Sequence, residues 1–139
     1  MNLLKKIVAD ISTCYQSGQY PIDINDNKVH VLYLGFYLNG TGIYRALLPA
    51  LEMNRTTTHA AIVNHLEPFS HQKQSSGFPV NINDDLIQWA DHIVFATAFH
   101  NLTETIKILR EVNKKPNLKF YLDIDDNYHT DMPGQDINY

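Results

Sequence analysis

The sequence predicts a three-layer α/β/α fold, a parallel sheet with helices on both faces, preceded by an N-terminal helical extension. Three observations predict it. Four short runs, at residues 29–34, 58–63, 92–96 and 118–123, are rich in apolar side chains. The first is apolar nearly throughout, which is how a strand reads when neither of its faces meets water. Segments of helical period alternate with these runs, the pattern of consecutive β-α-β units. Right-handed crossovers then distribute the helices over both faces.

Residues 2–16 read as a helix, because Leu3, Leu4, Ile7, Ile11 and Tyr15 fall on one apolar stripe. Gly18 and Pro21 end it. Residues 22–28 are polar and rich in Asp and Asn, as a linker is. Residues 1–27 are therefore expected to be an appendage packed on the main domain or on a partner, with the domain itself at 28–139. The first strand, 29–34, is interrupted only by His30. A turn with Gly35, Gly40 and Gly42 follows it, then a helix over 43–53 with Leu47, Leu48 and Leu51 turned inward. Pro49 predicts a kink or an early break there. Residues 64–83 show no period and hold Pro68, Ser70, Gly77 and Pro79, so a long loop is expected. Asp84 is expected to cap a short helix through Ala90. A further helix starts at Asn101 or Thr103 and runs to Asn113, with Ile106, Leu109 and Val112 on its apolar face. Glu104 suits the positive end of its dipole, and Lys114, Lys115 and Pro116 close it.

Composition narrows the function. The chain has 139 residues, enough for one domain with one core. Its net charge is −4, so it lacks the basic footprint of a general nucleic-acid binder. One cysteine, Cys14, excludes an internal disulfide and a cysteine-based zinc site. No apolar run approaches the roughly 20 residues of a membrane span. Asp10 interrupts any leader core after Lys5 and Lys6, so a soluble cytoplasmic protein is expected.

Three motifs carry chemistry. The first is the turn Gly35-Phe36-Tyr37-Leu38-Asn39-Gly40-Thr41-Gly42 after strand one. Ligands of open α/β sheets sit beyond the carboxyl ends of the strands, and a glycine turn there lets backbone amides approach a phosphate. Its spacing matches neither G-x-G-x-x-G nor the P-loop. A plain tight turn with positive φ at one or more glycines accounts for it equally well. The second is Arg45 in the next helical turn, which could fork onto a carboxylate or phosphate. Taken alone, a solvated helix residue is the simpler reading of it. The third is Asp123-Ile124-Asp125-Asp126 at the end of strand four. Such a cluster can bind a divalent cation or serve as a polar turn. It also resembles the nucleophile motif of haloacid-dehalogenase phosphatases, with Asn127 where those proteins carry Thr or Val. Of the seven histidines, His30 and His92 read as structural, while His100, after strand three, is a catalytic candidate.

The motifs in order resemble a family. Gly40-Thr41-Gly42-Ile43-Tyr44-Arg45-Ala46-Leu47-Leu48-Pro49 is similar to the glycine turn and Tyr-Arg-x-x-x-Pro element of bacterial GT-B-fold glycosyltransferases of the glycogen-synthase-like type. Trp89-Ala90-Asp91-His92-Ile93-Val94-Phe95 resembles a strand lead-in of that family. Tyr121 to Tyr128, with Met132 and Pro133, resembles its Asp-x-Asp-Asp segment. The resemblance implies a Rossmann-like, acceptor-side domain of a two-domain enzyme. It implies a nucleotide-sugar donor, a glycan or other acceptor, and no resident cofactor or metal. Gly40, Thr41, Gly42 and Arg45 would approach the donor diphosphate, while Asp125 and Asp126 would border the cleft. It also implies that the chain is a truncated part, inactive alone, whose missing C-terminal domain leaves apolar surface inclined to self-association. Two alternatives stand beside it: a free-standing α/β ligand-binding or regulatory module, and a small phosphatase using Asp123 and Asp125.

Overall fold

The computed structural model describes residues 26–36, 42–65, 84–96 and 102–123. The predicted helix at 2–16, most of the long loop and the C-terminal acidic segment lie outside the described residues. The strands are β1 (Val29–Phe36), β2 (His59–His65), β3 (His92–Phe95) and β4 (Lys119–Leu122). They form one sheet in the order β2-β1-β3-β4, and every neighbouring pair is parallel. The α/β, Rossmann-like expectation holds.

β1 runs two residues further than the apolar run predicts, through Gly35 to Phe36. Gly35 lies inside the strand instead of opening the turn. The register against β2 shifts between Tyr33 and Phe36, which is where a strand glycine marks an irregularity.

The helix expected at 43–53 is built in two parts. Ile43–Leu47 is a π-helical turn, in which the Leu48 amide donates back to the Ile43 carbonyl. The helix α1 (Leu48–Asn54) follows, with Pro49 in its first turn. Pro49 has no N–H to give the Arg45 carbonyl, and its ring would crowd that oxygen in a continuous α-helix. The wider π turn relieves this by taking up one extra residue. That residue rotates the apolar face. Ala46, Leu47, Ala50 and Leu51 are buried, while Leu48, expected inward, is 42% exposed. Gly42 precedes this segment with φ −64°, so it serves no left-handed turn.

Asp84 is also placed differently. It is the first residue of α2 (Asp84–Trp89) rather than its cap, and with Asp85 it puts two carboxylates on the positive end of the helix. The helix α3 (Leu102–Val112) buries Thr105 and Leu109, with Ile106 and Val112 partly covered.

The chain steps from β1 outward to β2, then returns past β1 to β3 and on to β4. Crossovers of one hand must then put the first helix on one face and the next two on the other. The two cores agree. Val31, Tyr33, Ala61 and Val63 pack against Ala46, Leu47, Ala50 and Leu51. Leu32, Leu34, Ile62, Ile93 and Phe95 pack against Leu86, Ile87, Trp89 and Leu109. Small alanines in the first core let the helix approach the sheet closely. Asn54 closes the outer edge of β2: its Nδ2 donates to Ala61 O at 2.9 Å and its Oδ1 accepts from the Ala61 amide at 2.7 Å.

Candidate functional site

The strand order reverses direction between β1 and β3, so the crevice beyond their carboxyl ends is the topological switch point of the sheet. Two hydrogen bonds extend the ladder there. The Ala96 amide donates to Leu34 O at 2.9 Å, and the Asp123 amide donates to Phe95 O at 3.0 Å. The second holds Asp123 at the rim, just past β4.

Arg45 reaches this rim from the π turn. Its Nη1 donates to Asp123 Oδ1 at 2.8 Å, joining two residues 78 positions apart. The arginine side chain is mostly covered and the aspartate is 42% exposed. Arg45 is thus not the solvated helix residue that its sequence context alone suggests. Beneath the pair lies Tyr33, buried at 4% exposure, with its hydroxyl toward Met53 Sδ at 4.0 Å. Burial, and after it the negative charge of Asp123, push the Tyr33 hydroxyl above its ordinary pKa of 10.0, so it stays neutral at pH 7.

The arrangement joins a guanidinium to a half-exposed carboxylate at the edge where ligands of this fold class bind. A ligand phosphate or carboxylate offers the same oxygens as Asp123 and can take the guanidinium in its place. Of the residues singled out in the sequence, Arg45 and Asp123 come to this rim, and Gly42 stands directly before the π turn that carries Arg45. Gly40, Thr41, His100, Asp125 and Asp126 lie outside the described residues. Among the described residues, no three His, Cys, Asp or Glu side chains gather as a metal site requires. None of their helices is long and apolar enough to cross a membrane.

A second charged cluster sits at the opposite, N-terminal edge of the sheet, and sequence reasoning missed its geometry. His30 is buried and stacked on Trp89, with ring centroids 4.5 Å apart. Its Nε2 lies 2.7 Å from Asp26 Oδ1, and its Nδ1 lies 3.4 Å from Asp91 Oδ2. Lys115 Nζ donates to Asp91 Oδ1 at 2.8 Å and to Trp89 O at 2.7 Å. Burial by itself raises the Asp91 pKa, but hydrogen bonds from Lys115 and the His30 amide, with the charges of Lys115 and His30, outweigh it. The carboxyl is held below its ordinary 3.8. At Asp26, burial is likewise outweighed by the Lys28 amide and by His30, so its pKa is lowered too. Asn27, with φ 55°, makes the left-handed step that turns Asp26 back toward His30. The signal available in the sequence was the position of Asp26, Asp91 and Lys115 at strand lead-ins, all on one edge of a parallel sheet.

No family model matches the chain, and no curated protein and no solved structure matches it either.

Proposed function

We propose that this chain is the acceptor-side, N-terminal portion of a GT-B-type glycosyltransferase working in the cytoplasm. It would help move a sugar from a nucleotide-sugar donor to a glycan or other acceptor. One observation carries this reading. Arg45 of the glycine-turn motif and Asp123 of the Asp-x-Asp-Asp motif, distant in sequence, meet at 2.8 Å on the switch-point rim. One residue from each of the two sequence patterns thereby meets the other at this rim, which supports the reading.

In this reading, Arg45 takes a diphosphate oxygen of the donor and releases Asp123 toward the cleft. Gly40, Thr41 and Gly42 supply backbone approach to the same diphosphate, and Asp125, Asp126 and His100 are the cleft-side candidates for proton transfer. The donor is a substrate, and neither a resident cofactor nor a metal is proposed. The nucleotide grip belongs to a second domain, so the 139-residue chain binds nucleotide sugars weakly or not at all.

The test begins with the gene beyond Tyr139 and the complete reading frame expressed from it. The expected outcome is a second Rossmann-like domain and nucleoside-diphosphate release from a panel of UDP-, ADP- and GDP-sugars. Arg45→Ala should lower kcat/KM at least about tenfold, or ~1.4 kcal/mol of transition-state stabilisation. A frame that stops at Tyr139, or tight nucleotide-sugar binding by the short chain in calorimetry, overturns the proposal. Either result favours a free-standing α/β binding module. Magnesium-dependent hydrolysis of p-nitrophenyl phosphate, lost on Asp123→Asn, favours the small phosphatase instead.

A further inference from the structure

The helical segment from Ile43 to Asn54 contains a slip in hydrogen-bond register, and one residue sets where it falls. Gly42, Leu47 and Leu48 all have right-handed helical φ and ψ, so the backbone is helical on both sides of the slip. What changes is the hydrogen bonding: the Leu48 amide donates to Ile43 O, five residues back instead of four. In a continuous α-helix the amide of residue 49 would donate to the Arg45 carbonyl. Pro49 has no such amide, and its ring excludes that oxygen from its α-helical place. The residue whose carbonyl Pro49 displaces is therefore the residue whose guanidinium meets Asp123.

The helix α1 is pinned and does not turn to absorb the slip. Ala50 and Leu51 are buried against β1 and β2, and Asn54 bonds both the amide and the carbonyl of Ala61. Residues 43–47 take up the slip instead. One residue of an α-helix is about 100° of turn and about 1.5 Å of rise, so the chain entering the π turn is rotated by about that much. Arg45 lies midway through the turn and takes roughly half of this rotation. At the surface of a helix about 10–12 Å across, that moves a side chain by about 5 Å. The 2.8 Å contact with Asp123 has no slack of that size. The neighbouring exposures agree with the aim of the turn: Tyr44 is 74% exposed and Leu48 42%, while the Arg45 side chain between them is 23% exposed.

We propose that Pro49 is a positioning residue: by imposing the π turn, it sets the Arg45 guanidinium on Asp123 at the switch-point rim, where a ligand oxyanion can take the place of the carboxylate. What the rim binds rests on the functional reading above; how the rim is built does not. The test is solution NMR of the isotope-labelled full chain. Couplings transmitted through hydrogen bonds show which carbonyl the Leu48 amide meets, and the Arg45 Nε–Hε resonance reports on Asp123. In Pro49→Ala the Leu48 amide should move to the Tyr44 carbonyl, and the new amide at position 49 should donate to Arg45 O. Alanine is the strongest helix former, so the variant keeps the fold, and Pro49→Ser restores the same amide as a second variant. Asp123→Ala should shift the Arg45 resonance in the parent, and at least about fivefold less when combined with Pro49→Ala. Leu48→Ala, a truncation beside the proline that keeps its ring, should leave the bonds and the Asp123 response as in the parent. Inorganic pyrophosphate is the probe for the rim, and its apparent Kd should rise at least about fivefold in Pro49→Ala. A Leu48–Ile43 bond that survives Pro49→Ala and Pro49→Ser would overturn the proposal. So would an Arg45 resonance that answers Asp123→Ala as strongly without the proline as with it, or the same losses in Leu48→Ala. A parent whose Arg45 resonance ignores pyrophosphate would refute the anion reading alone, because the bond pattern and the Asp123 response decide the positioning by themselves.

Discussion

Replacing Asn113 with Ala should destabilise the domain more than its polar character suggests. Asn113 follows α3 and is 3% exposed. Its Nδ2 donates to Ile87 O at 2.7 Å and to Ala90 O at 2.8 Å, and its Oδ1 accepts from the Lys115 amide at 2.9 Å. The Ala90 amide also donates to Ile87 O, at 3.3 Å, so Asn113 adds a second donor there and supplies one to Ala90 O just past the C-terminal end of α2. One side chain thus ties α2 to the turn after α3, beneath β1 and β3. Each hydrogen bond contributes roughly 1 kcal/mol net, and a buried carbonyl left alone costs about 1–3 kcal/mol. Asn113→Ala should therefore cost about 2–4 kcal/mol. With a urea slope of roughly 2 kcal/mol per molar, the midpoint falls by about 1–2 M. Asn113→Asp should cost more at pH 7, because a carboxylate oxygen would then face two carbonyl oxygens, and less as acid restores a donor. An Asn113→Ala midpoint within about 0.25 M of the parent would refute the clamp, as would an Asp variant more stable than the Ala variant at neutral pH.

Leu109 is fully buried against the β1–β3 core, so Leu109→Ala should cost about 2–5 kcal/mol in urea unfolding. The Arg45–Asp123 pair is partly exposed, so a double-mutant cycle with alanine should return a coupling of only about 0.2–1 kcal/mol, shrinking with added salt. Acid should weaken the fold in two steps. Partial burial, and then Lys119, hold the His92 pKa below 6.5, so the unfolded chain takes the proton first and stability falls as pH drops from 6.5 toward the folded value. The depressed Asp26 and Asp91 values keep their contribution intact above 3.8, and it is lost as pH falls through the folded values. Urea midpoints at pH 7, 5 and 3 check both steps, and Asp91→Asn should flatten the lower one.

Strand positions were legible because burial on both faces leaves an apolar run, and each strand lies within two residues of its expected bounds. The face of the first helix was not legible. Leu47, Leu48 and Leu51 share a face only at a constant α-helical period, and Pro49 changes that period through the π turn. Arg45 and Asp123 were each conspicuous, yet their pairing depends on β4 lying next to β3 and on the first helix covering β1. Alternation of strands and helices does not specify that order. His30 is buried against Trp89, and its partners come from turns that the register of β1 with β3 brings together.

The two charged clusters differ in a way that separates stability from ligand chemistry. At the N-terminal edge, Asp91 receives Lys115 and the His30 amide, while His30 lies between Asp91 and Asp26 and is buried against Trp89. Those groups are matched among themselves, and a ligand there would have to break several contacts at once. At the C-terminal edge, the Arg45–Asp123 ion pair joins a mostly covered guanidinium to a carboxylate nearly half open to solvent. Exchanging Asp123 for a ligand oxyanion replaces one charge-assisted contact by another of the same kind, at little net cost. Substitutions at His30, Asp91 and Lys115 should therefore move stability and its pH dependence. Substitutions at Arg45 and Asp123 should move stability much less and alter anion recognition, because that pair is partly exposed and lies at the edge where ligands of this fold class bind.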